Sequence, residues 1–79
     1  MQFVLCGVLS ETAGAERMEV DLPGPMRVDE ALQHLVQRVP ALEQLLPRVA
    51  CAIGDELIPR SELVEDHQAL VLLPPVSGG

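Results

Sequence analysis

Hydrophobic and polar positions divide the chain into short segments with distinct periodicities. Residues 3–9 form a continuous apolar run, which is typical of a strand buried on both faces. Residues 17–22 alternate between polar and apolar side chains, as a half-buried strand does. The Pro-Gly-Pro sequence at 23–25 ends this predicted strand. Gly14 marks a turn between the two runs, so the pattern predicts a β-hairpin at the start of the chain.

The next segment has the spacing of an amphipathic helix. Apolar residues recur at steps of three and four over residues 28–39, which places them on one stripe. Asp29 and Glu30 lie in the first turn and Arg38 in the last, where their charges complement the helix dipole. Arg27 precedes the first helical residue and lacks the short polar side chain of a good helix cap. The spacing therefore predicts a helix with a poorly capped start.

The second half of the chain predicts a further hairpin. Residues 41–46 form a short helical turn between two prolines, and residues 49–53 have the apolar character of a third strand. Gly54-Asp55 is a suitable two-residue turn, so residues 57–58 are predicted to be a short fourth strand. Residues 62–68 are polar and are interpreted as a surface connection.

Residues 69–73 complete the pattern as a final strand, again apolar on both faces. The first and last strands are the most apolar, so we expect them to pair in the middle of a mixed sheet. A crossover that includes the helix allows these two strands to run parallel. One main helix across one face of such a sheet predicts a two-layer α+β domain of the β-grasp, or ubiquitin-like, class.

Composition excludes several classes of function. The 79-residue chain has room for one small domain with a thin core and no deep substrate cavity. Twelve acidic residues against five arginines give a net charge of −7, and Phe3 is the single aromatic residue, which argues against nucleic-acid binding. The chain has no lysine and no glycine-rich phosphate loop, so any ATP that the function uses is expected to bind another chain.

Cysteine and histidine do not form a catalytic or metal-binding pattern. Cys6 and Cys51 lie in apolar runs and are predicted to be core side chains, without a disulfide. His34 and His67 are far apart and complete no metal site, so no metal is expected. Cys51 with His67 is the one conceivable nucleophile–base pair, and their spacing does not support it. The chain is therefore not expected to be an enzyme on its own.

Neither apolar run of the sequence has the properties of a membrane or export segment. The longer one, at residues 69–76, has eight residues and is interrupted by two prolines, far short of a membrane span. The N-terminal run lacks the basic start of a signal peptide. A cytoplasmic protein without membrane association is expected.

The chain ends in a segment whose residues suit chemistry at a narrow site. Pro74-Pro75 cannot continue a sheet, so we divide the chain into a domain at 1–73 and an extended, flexible tail at 74–79. The last four residues reach ~13 Å at full stretch. Gly78 and Gly79 lack side chains, so this end could enter a narrow channel.

The ending Pro-Pro-Val-Ser-Gly-Gly resembles the C-terminus of the small subunit of molybdopterin synthase, and the similarity extends over nearly the whole chain. The resemblance implies that the carboxylate of Gly79 is adenylated and then converted to a thiocarboxylate, with Gly78 as its slim neighbour. The thiocarboxylate would donate sulfur to cyclic pyranopterin monophosphate during molybdenum cofactor synthesis. This chain would bind no cofactor itself.

The resemblance also implies two partners. One is the synthase large subunit, which holds the active site in a hetero-oligomer, expected to be a heterotetramer. The other is a ubiquitin-activating-type adenylating enzyme that uses ATP and magnesium. The residues expected to contact partners are Leu57, Leu73, Pro74, Pro75, Val76 and Ser77. The usual pair of phenylalanines before the double proline is replaced here by Leu72 and Leu73.

Two other interpretations remain open at the level of sequence. A sulfur carrier for thiamine, cysteine or tRNA thiolation would use the same terminal chemistry. A ubiquitin-like interaction module would have a Gly-Gly end without chemistry, because glycine-rich termini are often merely frayed.

Overall fold

The structure is a computed structural model and describes residues 1–75. The strands are β1 (Gln2–Leu5), β2 (Arg17–Glu19), β3 (Met26–Arg27), β4 (Ala50–Ile53), β5 (Glu56–Ile58), β6 (Leu63–Val64) and β7 (Ala69–Leu73). The helices are α1 (Val8–Ala13) and α2 (Val28–Arg38), and two turns of 3-10 helix lie at Pro40–Leu42 and Leu46–Arg48. Neither α-helix of residues 1–75 has the length and apolar character that a membrane span requires.

The main sheet has five strands in the order β2-β1-β7-β4-β5. β1 and β7 pair in parallel near its centre, with Phe3 beside Leu70 and Val4 beside Val71. The other neighbours in the sheet are antiparallel. With α2 packed on one face, this is the predicted α+β, β-grasp architecture, and the prediction that the first and last strands run parallel in the middle is confirmed.

The core lies between the sheet and α2. In β1 and β7 the side chains alternate, so that Phe3, Leu5, Leu70 and Leu72 are buried while the residues between them are half-buried. The stripe of α2, including the fully buried Leu35, covers them. The expectation that both strands are buried on both faces was therefore wrong for the second face, because the single long helix covers one side only.

The first predicted strand is shorter than its apolar run. β1 ends at Leu5, and residues 8–13 form α1 instead of continuing the strand. Gly7 turns the chain with a φ of 56°, and Leu9, which belongs to α1, is completely buried. Gly14 ends the helix in the left-handed conformation, as its prediction as a turn residue requires. β1 and β2 are antiparallel as predicted, but a helix joins them.

The start of α2 has partners that compensate for its poor cap. The backbone N–H of Val28 donates to the carbonyl of Glu62 at 2.9 Å, and that of Asp29 donates to the carbonyl of Arg60 at 3.1 Å. The Glu30 carboxylate accepts a hydrogen bond from the backbone N–H of Arg27, at 3.1 Å. Carbonyls of a distant loop thus satisfy amides that a capping side chain would normally satisfy.

The predicted surface connection at 62–68 contains a strand. β6 pairs with β3 in a small second sheet, and Val64 is completely buried. The hairpin before it agrees with the prediction: β4 and β5 pair through the turn at 54–55, where Gly54 has a φ of 60°. This positive φ is the conformation that a tight hairpin turn requires.

A polar cluster at the N-terminus joins three segments of the chain. The ammonium group of Met1 donates to the carbonyl of Val20 at 2.7 Å and to Oδ1 of Asp66 at 2.6 Å. The same carboxylate oxygen accepts the N–H of Leu22 at 2.8 Å, and Glu19 lies 3.5 Å from the ammonium. The hydrogen bond from the ammonium, followed by that from Leu22, holds the pKa of Asp66 below its ordinary value.

This cluster predicts a pH dependence of stability. A carboxylate with a lowered folded-state pKa stabilises the fold above its unfolded pKa of about 3.9, and this contribution is lost as the pH falls through the folded value. In urea titrations, Asp66→Asn should therefore unfold more easily than the wild type at pH 7, and the difference should shrink as the pH falls below about 4. The neighbouring Glu65→Gln serves as a control and should follow the wild type. A difference for Asp66→Asn that persists undiminished at the lowest pH would contradict the assignment.

Candidate functional site

The tail leaves the fold from the centre of the main sheet. β7 ends at Leu73, Pro74 is half-buried and Pro75 is exposed. The other predicted tail residues, Val76, Ser77, Gly78 and Gly79, lie outside the described residues. The division into a domain at 1–73 and a tail at 74–79 remains a prediction.

Pro74 packs against the turn between β1 and α1. A Cβ atom built on Gly7 would lie 3.2 Å from Cγ of Pro74, closer than ordinary van der Waals contact allows. Glycine at this position therefore lets the turn both adopt its positive φ and approach the proline. The pattern of the sequence did not predict this contact, although a glycine inside an apolar run is a signal for close backbone approach.

A small groove lies beside the start of the tail. It has a volume of about 260 Å³ and lies between α1, the segment after Pro40–Leu42 and the double proline. Val8 of α1 lines it and is 44% exposed. Arg48 supplies a positive charge at the same groove. The tail thus begins at a surface with both apolar and cationic groups.

The sheet face opposite α2 carries a continuous apolar row. The strand registers place Val4 beside Val71, Val71 beside Ala52, and Ala52 beside Leu57. Directly paired residues point to the same side of a sheet, so the row crosses four strands on one face. Arg17 extends the row at its other end on β2, beside Val4. These side chains are not part of the core cluster under α2, although Ala52 is itself buried, with 6% exposure.

Two of the predicted partner contacts meet on this face. Leu73 is on the same side of β7 as Val71 and pairs with Ala50, while Leu57 is 67% exposed on the edge strand β5. From strand spacing and residue rise, the Cα atoms of Leu57 and Leu73 are about 12 Å apart. We define the outer face by its apolar residues: Val4, Ala50, Ala52, Leu57, Val71 and Leu73.

The cysteines and histidines do not assemble a reactive site in residues 1–75. Cys51 is buried on the core side, opposite Leu72, and burial raises the pKa of its thiol, against a smaller opposite effect of Arg60. His67 is exposed in the turn before β7, at the end of that strand far from Cys51. Cys6 is a free, half-buried thiol. The described residues contain no group of three potential metal ligands.

A second, larger depression lies on the helix side of the molecule. It is an open groove of about 570 Å³ between α2 and the second 3-10 turn. Its floor includes Leu32 and Leu46, and Arg60 lies at its edge. The Arg60 guanidinium donates to the carbonyls of Leu46 and Val49, so it fastens the loop before β4. This groove lies away from the tail and the outer face.

Comparison with known proteins agrees with this arrangement. The sequence profile of the ThiS family matches residues 4–79. The chain belongs to the ThiS family. Its members are ubiquitin-like sulfur carriers that work with partner enzymes and are not catalysts themselves. The predicted membership of a ubiquitin-like sulfur-carrier family is confirmed.

Two proteins of known identity are similar to this ThiS-family chain. The molybdopterin synthase sulfur carrier subunit of Arabidopsis thaliana is 29% identical over 69 residues, which are 87% of this chain and 72% of that protein. The small archaeal modifier protein 1 of Haloferax volcanii is 33% identical over an alignment of 87 positions that covers 100% of both chains.

Solved structures support the same fold. The crystal structure of SAMP1 from Haloferax volcanii has a TM-score of 0.86 at 33% identity and covers 100% of this chain and 98% of that one. The solution structure of SAMP1 from Methanosarcina acetivorans has a TM-score of 0.79 at 24% identity, covering 99% and 94% of the two chains. The latter similarity bears on the fold alone.

The contact between Gly7 and Pro74 can be tested with a matched pair of glycines. Gly7 and Gly54 have similar positive φ values, but a Cβ atom at Gly54 would meet no neighbour within 4 Å. Gly54→Ala should lower the free energy of unfolding by about 1–2 kcal/mol through backbone strain. Gly7→Ala should lower it further for two reasons. Gly7 combines its positive φ with a ψ of −129°, a conformation that residues with side chains strongly disfavour, and its methyl group also meets the proline ring. In a Pro74→Ala background, part of the extra loss at Gly7 should be recovered in urea titrations; no recovery would contradict the contact.

Proposed function

We propose that this ThiS-family chain is the sulfur carrier subunit of a molybdopterin synthase. The observation that supports the proposal most directly is the Pro-Pro-Val-Ser-Gly-Gly ending, which directly follows the central strand β7. The similarity to the sulfur carrier subunit of Arabidopsis thaliana supports the same pathway. Gly79 is then the reacting residue, and Gly78 keeps the approach to it narrow. Cytoplasmic location remains a prediction from the sequence.

The chemistry requires an activated carboxylate. The Gly79 carboxylate is a poor electrophile, so an adenylating partner joins it to the α-phosphate of ATP and releases pyrophosphate, with magnesium bound by that partner. A sulfur nucleophile then attacks the acyl carbon, AMP leaves, and a thiocarboxylate remains. The large subunit uses this sulfur on cyclic pyranopterin monophosphate. The carrier itself supplies a terminus that can enter two active sites in turn.

The outer face is the surface that we assign to partner docking. It is apolar, it is left uncovered by α2, and it contains the strand end from which the tail departs. Leu57 and Leu73 would provide apolar anchors, and Pro74, Pro75, Val76 and Ser77 would follow the partner surface towards its active site. Ala50 and Leu57 are exposed on this face, and Val4, Val71 and Leu73 are half-buried. Contiguous apolar surface of this kind marks interaction sites more often than a single exposed leucine does. The net charge of −7 favours partners with basic surfaces.

A second candidate function uses the same activated terminus. Similarity to the small archaeal modifier protein 1 covers the full length of both chains, so attachment of this chain to other proteins is a specific alternative. In that case an amine of the target protein would attack the activated Gly79 and form an amide. Sulfur transfer in thiamine, cysteine or tRNA thiolation would differ only in the acceptor.

Loading and discharge can be measured by intact mass. The chain is incubated with ATP, magnesium, a sulfur donor and the adenylating enzyme of molybdenum cofactor synthesis. We expect the mass difference between one oxygen and one sulfur, located at Gly79. Addition of the large subunit and cyclic pyranopterin monophosphate should remove the sulfur.

Two altered tails provide controls for this experiment. A chain without Gly79, and a chain with one residue added after it, should remain folded but fail to load. Unchanged synthase activity of the shortened chain would overturn the carrier function. Loading without discharge would instead favour another thiolation pathway or attachment to proteins.

The docking surface can be tested with two leucines of equal exposure. Leu57 and Leu63 are each 67% exposed, but Leu57 lies on the outer face and Leu63 lies on the small sheet. Leu57→Asp should weaken binding to the large subunit by about 2 kcal/mol, roughly a 30-fold rise in Kd. Leu73→Asp should act in the same way, whereas Leu63→Asp should leave the Kd nearly unchanged. Equal effects of Leu57→Asp and Leu63→Asp in binding titrations would place the interface elsewhere.

A further inference from the structure

An activated C-terminus can undergo a side reaction with amines of the carrier itself. In an acyl-adenylate the carbonyl carbon of Gly79 can be attacked by any nearby primary amine. The amine nitrogen forms an amide with this carbon, the bond to AMP breaks, AMP leaves with the electron pair, and a proton passes to solvent. A carrier molecule with reactive amines would therefore consume other activated carriers. This consideration rests on the function proposed above.

The composition of the chain removes most of these amines. All five basic side chains are arginines, and the 79 residues contain no lysine. A guanidinium remains protonated and delocalised at every physiological pH, so it is not a competing nucleophile. Among the described residues, the α-amine of Met1 is the primary amine.

Two hydrogen bonds hold this α-amine in the fold, and a second carboxylate lies close to it. Val20 accepts a hydrogen bond from it at 2.7 Å and Asp66 accepts another at 2.6 Å, while Glu19 lies 3.5 Å away. The Met1 side chain is fully buried, which anchors the amine at this position. Nucleophilic attack needs a nitrogen with a free lone pair that can approach the acyl carbon, and the two hydrogen bonds hold this amine against the fold. The amine can react only after this cluster opens.

We infer that the chain is a one-way acyl donor, and that Asp66 keeps its α-amine from accepting acyl groups. The activated carboxylate of Gly79 then reacts with a sulfur nucleophile or with an amine of a different protein, and not with another copy of the carrier. As a result, Gly79 forms an amide neither with the α-amine of another carrier nor with the α-amine of its own chain. Asp66 acts here as a positioning residue, because it holds the amine and does not touch the reacting Gly79.

Acetylation of the isolated chain tests this inference without any partner enzyme. N-hydroxysuccinimidyl acetate is added to the native chain and to the chain in urea, and intact mass follows the gain of one acetyl group. The native chain should react at least about tenfold more slowly than the unfolded chain, because the cluster must open first. Equal rates would overturn the inference.

Two variants separate the role of Asp66 from general packing. Asp66→Asn keeps the shape of the side chain but removes its charge, and it should be acetylated several-fold faster than the wild type. Glu19→Gln, whose carboxylate is farther from the amine and mostly exposed, should behave nearly as the wild type. Circular dichroism confirms that each variant is folded. If the Asp66→Asn variant is folded and is acetylated at the wild-type rate, the role of Asp66 is overturned. If the variant does not fold, the comparison of the native with the unfolded wild type still tests the inference.

A second experiment uses the activated terminus itself. The chain is incubated with ATP, magnesium and the adenylating enzyme, without a sulfur donor, and products are treated with a thiol that cleaves thioesters but not amides. The wild type should form no amide-linked dimer, whereas Arg38→Lys, at an exposed position with the same charge, should form one. If the wild type formed the amide-linked dimer in the same yield as Arg38→Lys, the inference would be overturned. A failure to release pyrophosphate would count against the proposed function alone, since the acetylation rates are independent of it.

Discussion

The parallel pairing of β1 with β7 determines how the rest of the molecule is arranged. Phe3 lies beside Leu70 in this pair, so the most apolar strands form the centre of the sheet and one wall of the core. Parallel strands need a long crossover, and this one contains α2, which covers that wall. The same pairing brings the end of β7 beside the end of β1, where Gly7 turns away and Pro74 packs against it. The origin of the tail is therefore a consequence of the core.

The two faces of the sheet differ in how they are covered because the chain is small. One 11-residue helix can cover one side of a five-stranded sheet, and the opposite side keeps apolar residues without a cover. Exposed apolar area favours association, while a net charge of −7 opposes association between copies. A carrier that visits several enzymes needs both properties. In the proposed function, the outer face provides transient contacts with partners, and the negative charge opposes association between free carriers.

The candidate site was predictable where one short segment contains its chemistry. Pro74-Pro75 and the two terminal glycines predict an extended end that fits a narrow channel, and this prediction does not depend on the fold. Proline lacks the N–H that a strand needs, and glycine lacks a side chain. The outer face was predictable only in part. Leu57 and Leu73 were identified as separate apolar residues, but their common surface depends on the pairing of β4 with both neighbouring strands. Strand register is a property of the assembled sheet, and no local pattern encodes it alone.

The sequence by itself determined the helix at 28–38, the turn at 54–55 and the parallel centre of the sheet, because periodicity, turn residues and extreme apolarity are local signals. Only the tertiary structure decided that residues 8–13 are helical, since a short apolar run fits a strand and a buried helix equally well. It also decided that Leu63–Val64 form a strand, since two residues have no measurable period. The contact of Asp66 with the amine of Met1 joins groups 65 residues apart. Such a contact exists only after the core has brought both segments together.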